Sequence, residues 1–194
     1  MIKNCFEQMY DYSIPLVFSD GTIIYEELQK EYKTHKKGYF IYGPSGVGKT
    51  YFVKHQTVKN WIDGDVLWAV TKAFPNNDWW NLTGEEIDEI ERRADVITEQ
   101  AKKLGFWIMG ASSVNMVPDA IVMPDFETHL KYIQYRENHN YDDGMKSGDI
   151  EKIKRNREYF LRFHNHGVPI FKSVVEAVDY LENLESGEET SGIQ

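Results

Sequence analysis

Short, wholly apolar runs alternate along the chain with longer stretches in which apolar residues return every three or four positions. Tyr39-Phe40-Ile41-Tyr42, Phe106-Trp107-Ile108-Met109, Ala120-Ile121-Val122-Met123 and Val168–Phe171 are runs of the first kind, and Trp61-Ile62 is a shorter one. Ile87, Ile90, Ala94, Ile97 and Ala101 recur at helical spacing. Their helix opens at Thr83-Gly84-Glu85-Glu86, a capping box, and reaches about Leu104 before Gly105. Gly48–Gln56, a segment from Asp125 through Arg136, and Asp149–Phe163 also read as helices. Pro124 stops the fourth apolar run and Asp125 can cap the helix after it, while Ser173-Val174-Val175-Glu176 caps a last helix to about Leu184.

A strand that is apolar at every position, rather than at alternate ones, is covered on both faces, as in a parallel sheet between helices. The alternation therefore predicts an α/β architecture with five parallel strands flanked by helices. Ahead of it, Ile14–Phe18 and Thr22–Tyr25 around Ser19-Asp20-Gly21 predict a hairpin, and Tyr25–Lys37 a short charged helix. The predicted organisation is an N-terminal extension over residues 1–38 packed on the core, a main domain over 39–184 with a lid around 136–157, and an acidic tail over 185–194.

Gly43-Pro44-Ser45-Gly46-Val47-Gly48-Lys49-Thr50 matches G-x-x-x-x-G-K-[ST] completely and lies between a predicted strand and a predicted helix. Glycines let such a loop curl until successive N–H groups (Gly43, Ser45, Gly46, Val47 and Gly48 are the candidates) point at phosphate oxygens. The helix start adds its positive end, Lys49 reaches the outer phosphates and the Thr50 hydroxyl can ligate Mg²⁺. The motif predicts a P-loop NTPase fold that uses ATP and Mg²⁺.

A P-loop serves motors and switches as well as phosphotransferases. Motors and switches carry an acid at the end of a second apolar strand to hold Mg²⁺. Here the run ending Met109-Gly110-Ala111-Ser112-Ser113 carries none. Two carboxylates instead follow the Trp61-Ile62 run, in Asp63-Gly64-Asp65, on the rim that the P-loop shares. One can orient Mg²⁺ or accept a proton from an attacking hydroxyl while the other binds substrate. An Asp-Gly turn with Asp65 capping a helix over Val66–Phe74 accounts for the same residues.

In its P-loop, its helix and Asp63-Gly64-Asp65, the chain resembles small P-loop kinases such as gluconate, shikimate and adenylylsulfate kinases. The likeness extends more loosely over residues 39–183, with Ala120–Arg136 similar to their strand and helix leading to a lid arginine, and Gly167–Phe171 similar to their closing strand. It implies a nucleoside- or nucleotide-kinase-like fold in which Lys49 and Thr50 hold phosphate and Mg²⁺. By the same likeness Asp63 is the base or Mg²⁺ orienter, Asp65 contacts substrate and Arg136 closes on the phosphates. The chain departs from that pattern in its longer leading segment and in lacking a doubled lid arginine, since residue 133 is Ile and residue 139 is His. Lys146, Lys152, Lys154, Arg155 and Arg157 are further lid candidates.

Four of the five tryptophans, Trp61, Trp68, Trp79 and Trp80, lie with Phe74 just around and after the acidic pair. Trp79 and Trp80 stand in a polar turn, where flat side chains suit stacking on a base. Core packing of Trp61 and Trp68, with the other pair anchoring the loop, is the competing account. The aromatic loop, the acidic element and the extension together resemble phage-encoded P-loop kinases that act on 5-hydroxymethyl pyrimidines in DNA. That implies 5-hydroxymethyluracil in DNA as acceptor, flipped into the aromatic pocket. A free nucleoside or nucleotide, or a small metabolite, is the alternative acceptor, and a P-loop ATPase or nucleotide-sensing adaptor is the alternative class.

Composition tempers the DNA expectation. Twenty-two basic against 31 acidic side chains leave a formal charge of −9, which disfavours a protein that clamps a phosphate backbone electrostatically. A mildly basic strip over residues 131–162 is the exception. Cys5 is the single cysteine, and Met1–Cys5 leads into acids and tyrosines rather than an apolar run, so the expectation is no membrane and a reducing cytoplasm, that of the host if the chain is phage-encoded. His129, His139, His164 and His166 show no metal-ligand spacing, and His164-Asn165-His166 reads as capping or surface.

Overall fold

The computed structural model describes residues 21, 23–70, 84–110, 115–139 and 145–187. Five strands, β1 (Tyr39–Tyr42), β2 (Trp61–Asp63), β3 (Trp107–Gly110), β4 (Ala120–Val122) and β5 (Ile170–Phe171), form one parallel sheet in the order β2-β3-β1-β4-β5. The helices are α1 (Ile24–Glu31), α2 (Lys49–His55), α3 (Gly64–Val70), α4 (Gly84–Lys103), α5 (Phe126–Asn138), α6 (Ile150–Leu161) and α7 (Val174–Ser186). A 3-10 helix, Arg162–His166, follows α6 directly. No described helix is long and apolar enough to cross a membrane.

Successive side chains of a strand point to opposite faces, and this divides each apolar run between two cores. Phe40, Tyr42, Ile62, Ile108 and Ile121 pack with α1, α3, α4 and the end of α6. Tyr39, Ile41, Trp61, Trp107, Met109 and Val122 pack with α2 and α7. The result is a sheet sandwiched between two helical layers, as the unbroken apolar runs predict. Trp61 and Trp68, for which core packing is the competing account, are both buried.

Local caps hold where the sequence places them. Asp125 Oδ1 accepts the Thr128 N–H at 2.8 Å at the start of α5, and Ser173 Oγ accepts the Glu176 N–H at 3.2 Å at the start of α7. Thr83 lies outside the described residues, and α4 starts directly after it. The acidic element differs from its cap prediction. The helix after β2 starts at Gly64, and the capping carboxylate is Asp63, whose Oδ1 accepts the Asp65 N–H at 3.0 Å.

The leading segment also differs. Tyr25 lies in a helix, as predicted, but Ile24, predicted to lie in a strand, opens that helix α1, because Ile24, Tyr25 and Leu28 bury one helical face and Tyr25 Oη donates to Gln100 Oε1 at 2.7 Å. The helix stops at Glu31 rather than continuing to Lys37. Beyond it the chain must run beside the entry to β3, where the His35 N–H bonds the Gly105 carbonyl at 2.9 Å and the His35 ring stacks on Trp107 at 3.5 Å. A helix would turn those groups away. Ile14–Phe18 and Ser19-Asp20 lie outside the described residues. Helix α6 is likewise shorter than its prediction, tightening into the 3-10 turn that brings Phe163 beside Phe160 in the core.

Candidate functional site

The loop Gly43–Gly48 leaves the carboxyl end of β1, the central strand of the sheet, and runs into α2. Gly46 and Gly48 adopt φ of +96° and +98°, left-handed backbone that L side chains rarely take. At Gly46 the constraint is doubled, since a Cβ there would lie 3.3 Å from Ile133 of α5. Val47 anchors the loop in the α2/α7 core.

Lys49, the first residue of α2, is 9% exposed, and its ammonium donates to the carbonyls of Gly43 at 2.6 Å and Pro44 at 2.9 Å. Burial lowers its pKa to about 8, with the nearby Arg136 charge adding to the effect and the carboxylates of Asp65 and Asp63 opposing it. Thr50 follows in the first turn of α2, exposed to solvent. Asp63 closes β2 and is 6% exposed. Asp65 reaches solvent but is crowded by surrounding protein. That crowding, then the Asp63 charge, raises its carboxyl above the usual range, against the pull of Lys49 and Arg136. Lys49, Asp63, Asp65 and Arg136 thus form one electrostatic neighbourhood at the rim of the sheet.

Helix α5 closes the other side of the loop. His129, Ile133 and Arg136 share one face at helical spacing and meet the loop at Ser45 and Gly46. Arg136 Nη1 donates to Ser45 Oγ. His129, fully buried, bonds the Ser45 carbonyl through Nε2 at 2.9 Å. Arg157 of α6 donates to His129 Nδ1 at 3.2 Å and to the Pro124 carbonyl at 2.8 Å. Burial lowers the His129 pKa, the bond to Ser45 opposes that, and the Arg157 and Lys49 charges reinforce it.

The predicted P-loop residues, Asp63, Asp65 and Arg136 are therefore gathered at one place. Phe74, Trp79 and Trp80, the predicted acceptor residues, lie outside the described residues, as do Ala111, Ser112 and Ser113. Arg157 joins the site through His129, whereas Lys152, Lys154 and Arg155 are exposed on α6 and Lys146 is exposed ahead of it. Metal-ligand spacing in the sequence does not single out His129; its spacing to Ile133 and Arg136 on one helix face is the signal that does. His139, His164 and His166 are exposed. Among the described residues no three His, Cys, Asp or Glu side chains converge as a metal-binding group.

A complete P-loop between the central strand and its following helix, in a five-stranded parallel sheet flanked by helices, defines the P-loop NTPase fold. No family model matches the chain. It is similar to an AAA ATPase forming ring-shaped complexes from Corynebacterium efficiens, with 35% identity over 82 residues. That match covers 42% of this chain and 15% of the relative, so the chain spans a small part of that protein's length.

Proposed function

We propose that the protein is an ATP-dependent kinase that transfers the γ-phosphoryl group to an alcohol. The observation that carries this reading is the placement of carboxylates. Asp63 and Asp65 act on Lys49 from β2 and the start of α3. Strand β3, which lies directly against β1, ends in Gly110, with Ala-Ser-Ser-Val following in the sequence. A P-loop ATPase holds Mg²⁺ with an acid at the end of a second apolar strand, and none directly follows β3 in the sequence, whereas the carboxylates that end β2 suit an acceptor facing the phosphates.

Lys49 leaves the Gly43 and Pro44 carbonyls to meet the phosphates, and Arg136, held at Ser45, adds a second positive charge beside them. Asp63, fixed by its bond to the α3 backbone, orients the acceptor hydroxyl and takes its proton as the oxygen attacks the γ-phosphorus and the bond to the departing ADP breaks; Asp65 grips the acceptor. The Thr50 hydroxyl and the Asp63 carboxylate are hard oxygen donors of the kind Mg²⁺ takes alongside substrate phosphates, and bound there the ion would neutralise charge on the transferring group.

The most specific acceptor is 5-hydroxymethyluracil in DNA, supported by the likeness to phage kinases and by Trp79 and Trp80 in the sequence after the acidic pair. The second reading, a P-loop ATPase, is favoured by the similarity to the AAA ATPase. Transfer of label from γ-labelled ATP to a panel of 5-hydroxymethyluracil DNA, thymine DNA, free nucleosides and nucleotides, and sugar acids separates them. Label on the modified base, none on thymine DNA, and loss of transfer in Lys49→Ala and Asp63→Asn are expected. Label on a free nucleoside or sugar acid alone replaces the acceptor. Rapid hydrolysis without any acceptor, indifferent to Asp63→Asn, replaces the kinase by the ATPase.

A further inference from the structure

The P-loop has to keep its N–H groups aimed inward while carrying two glycines in left-handed backbone. Glycines make that shape accessible without selecting it, because the same freedom admits many others. Something outside the loop must select it, and the contact at the Ser45–Gly46 peptide is suited to do so. In a trans peptide the carbonyl of one residue and the N–H of the next point in opposite directions. Holding the Ser45 carbonyl toward α5 therefore turns the Gly46 N–H to the opposite side, away from the imidazole.

The group that holds this carbonyl is His129 Nε2, at 2.9 Å. For that bond Nε2 must carry the proton, since a carbonyl oxygen only accepts. The other ring nitrogen is what decides the tautomer. Arg157 has only donors, so its 3.2 Å bond to Nδ1 requires a lone pair there. The guanidinium is itself fixed at the Pro124 carbonyl and lies over the Phe126 ring. An imidazolium would set an N–H against Arg157, and the flipped tautomer would set a lone pair against the Ser45 carbonyl. One protonation state satisfies both partners.

We propose that His129 is a positioning residue for the phosphate loop, a neutral imidazole with its proton on Nε2 that pins the Ser45 carbonyl and is itself set by Arg157 of α6. This rests on the part of the functional reading in which the P-loop binds a nucleoside triphosphate, and is independent of the acceptor. It also gives α6 a physical connection to the phosphate loop, through two hydrogen bonds.

The test reads nucleotide binding rather than transfer, using a fluorescent ATP analogue with magnesium chloride and the full chain. His129→Phe keeps the ring but removes the donor, and should weaken binding about tenfold. His129→Gln offers an N–H to Ser45 and an oxygen to Arg157, and should recover most of that loss. Arg157→Met should weaken binding in the wild-type background and add nothing in His129→Phe. In the unmutated protein, ¹⁵N NMR of the imidazole should show protonated Nε2 and unprotonated Nδ1 at neutral pH, a measurement that stands even if His129→Phe fails to fold. An imidazolium or the Nδ1–H tautomer, or a folded His129→Phe with wild-type affinity, overturns the proposal. Full additivity of the two substitutions overturns the role of Arg157. A wild-type chain that binds no triphosphate defeats the functional reading itself, and is thereby told apart from a failure of the positioning role.

Discussion

Asp63 Oδ1 accepts the backbone N–H of Asp65 at 3.0 Å, so the carboxylate that ends β2 also starts α3. The bond gives the two acids different characters. Asp63 is buried and held, with one oxygen committed to the helix start, while Asp65 projects toward solvent with its carboxyl raised by crowding and by the Asp63 charge. A fixed acid and an adjustable one at the same rim suit a site that must orient one group and grip another.

The structural and chemical duties of Asp63 can be separated by two substitutions. Asparagine keeps an oxygen for the Asp65 N–H, so Asp63→Asn should leave the melting temperature nearly unchanged. Alanine does not, and Asp63→Ala should cost about 1 kcal/mol of stability. Phosphoryl transfer should fall by at least 100-fold (~10²) in both, since both lack the carboxylate. Calorimetry beside a transfer assay checks the split; normal transfer in Asp63→Asn would restrict the residue to its capping role.

Asp65 makes the opposite prediction for stability. Its raised pKa means the folded state binds this proton more tightly than the unfolded chain does. The resulting stabilisation is present below the unfolded carboxylate pKa and is lost as pH rises through the folded one. At neutral pH the ionised group therefore strains the fold, and Asp65→Asn should melt higher than wild type at pH 7 while transferring phosphate more slowly. The gain should vanish as the pH is lowered beneath the ordinary carboxylate range. Thermal melts across pH would reveal it, and a mutant that melts lower at pH 7 would contradict it.

Lys49, with a pKa near 8 in the free protein, should take up a proton when the triphosphate arrives, because the phosphate charges favour the ammonium. At pH 8 the uptake should be about half a proton per nucleotide, and affinity should weaken as the pH climbs above that point. Titration calorimetry in two buffers of different ionisation heat measures the uptake directly. Lys49→Met should abolish the effect along with most of the affinity.

Gly38 and Gly84 test the packing. A Cβ at Gly38 would fall 2.0 Å from the Lys102 carbonyl oxygen, whereas one at Gly84 meets nothing within 4 Å. Gly38→Ala should then cost about 3 kcal/mol, through backbone that cannot give way. Gly84→Ala, at the first residue of α4, should be neutral or stabilise by up to about 1 kcal/mol. Equal melting temperatures in the two variants would remove the close approach of α4 to the segment before β1.

What could be read from the sequence depended on neighbours within a few positions. Strands β1 and β4 are apolar throughout because both faces are covered, a condition each run, Tyr39–Tyr42 and Ala120–Val122, records in itself. The P-loop and the caps at Asp125 and Ser173 are equally local, each a matter of at most eight consecutive residues. The rest depended on surfaces that meet only after collapse. The end of α1 is decided by the path beside Gly105, and the order β2-β3-β1-β4-β5 by which helices cover which face. Ser45 and His129 are 84 positions apart, and His129 and Arg157 another 28. No period or motif links them; packing α5 and α6 against the loop does. The sequence by itself determined the layers of the fold and the phosphate loop, because short-range hydrogen bonding and burial write those into adjacent residues. Tertiary structure alone decided what surrounds the loop, because a buried imidazole acquires its tautomer, and an arginine its position, only from partners that the folded chain brings to them.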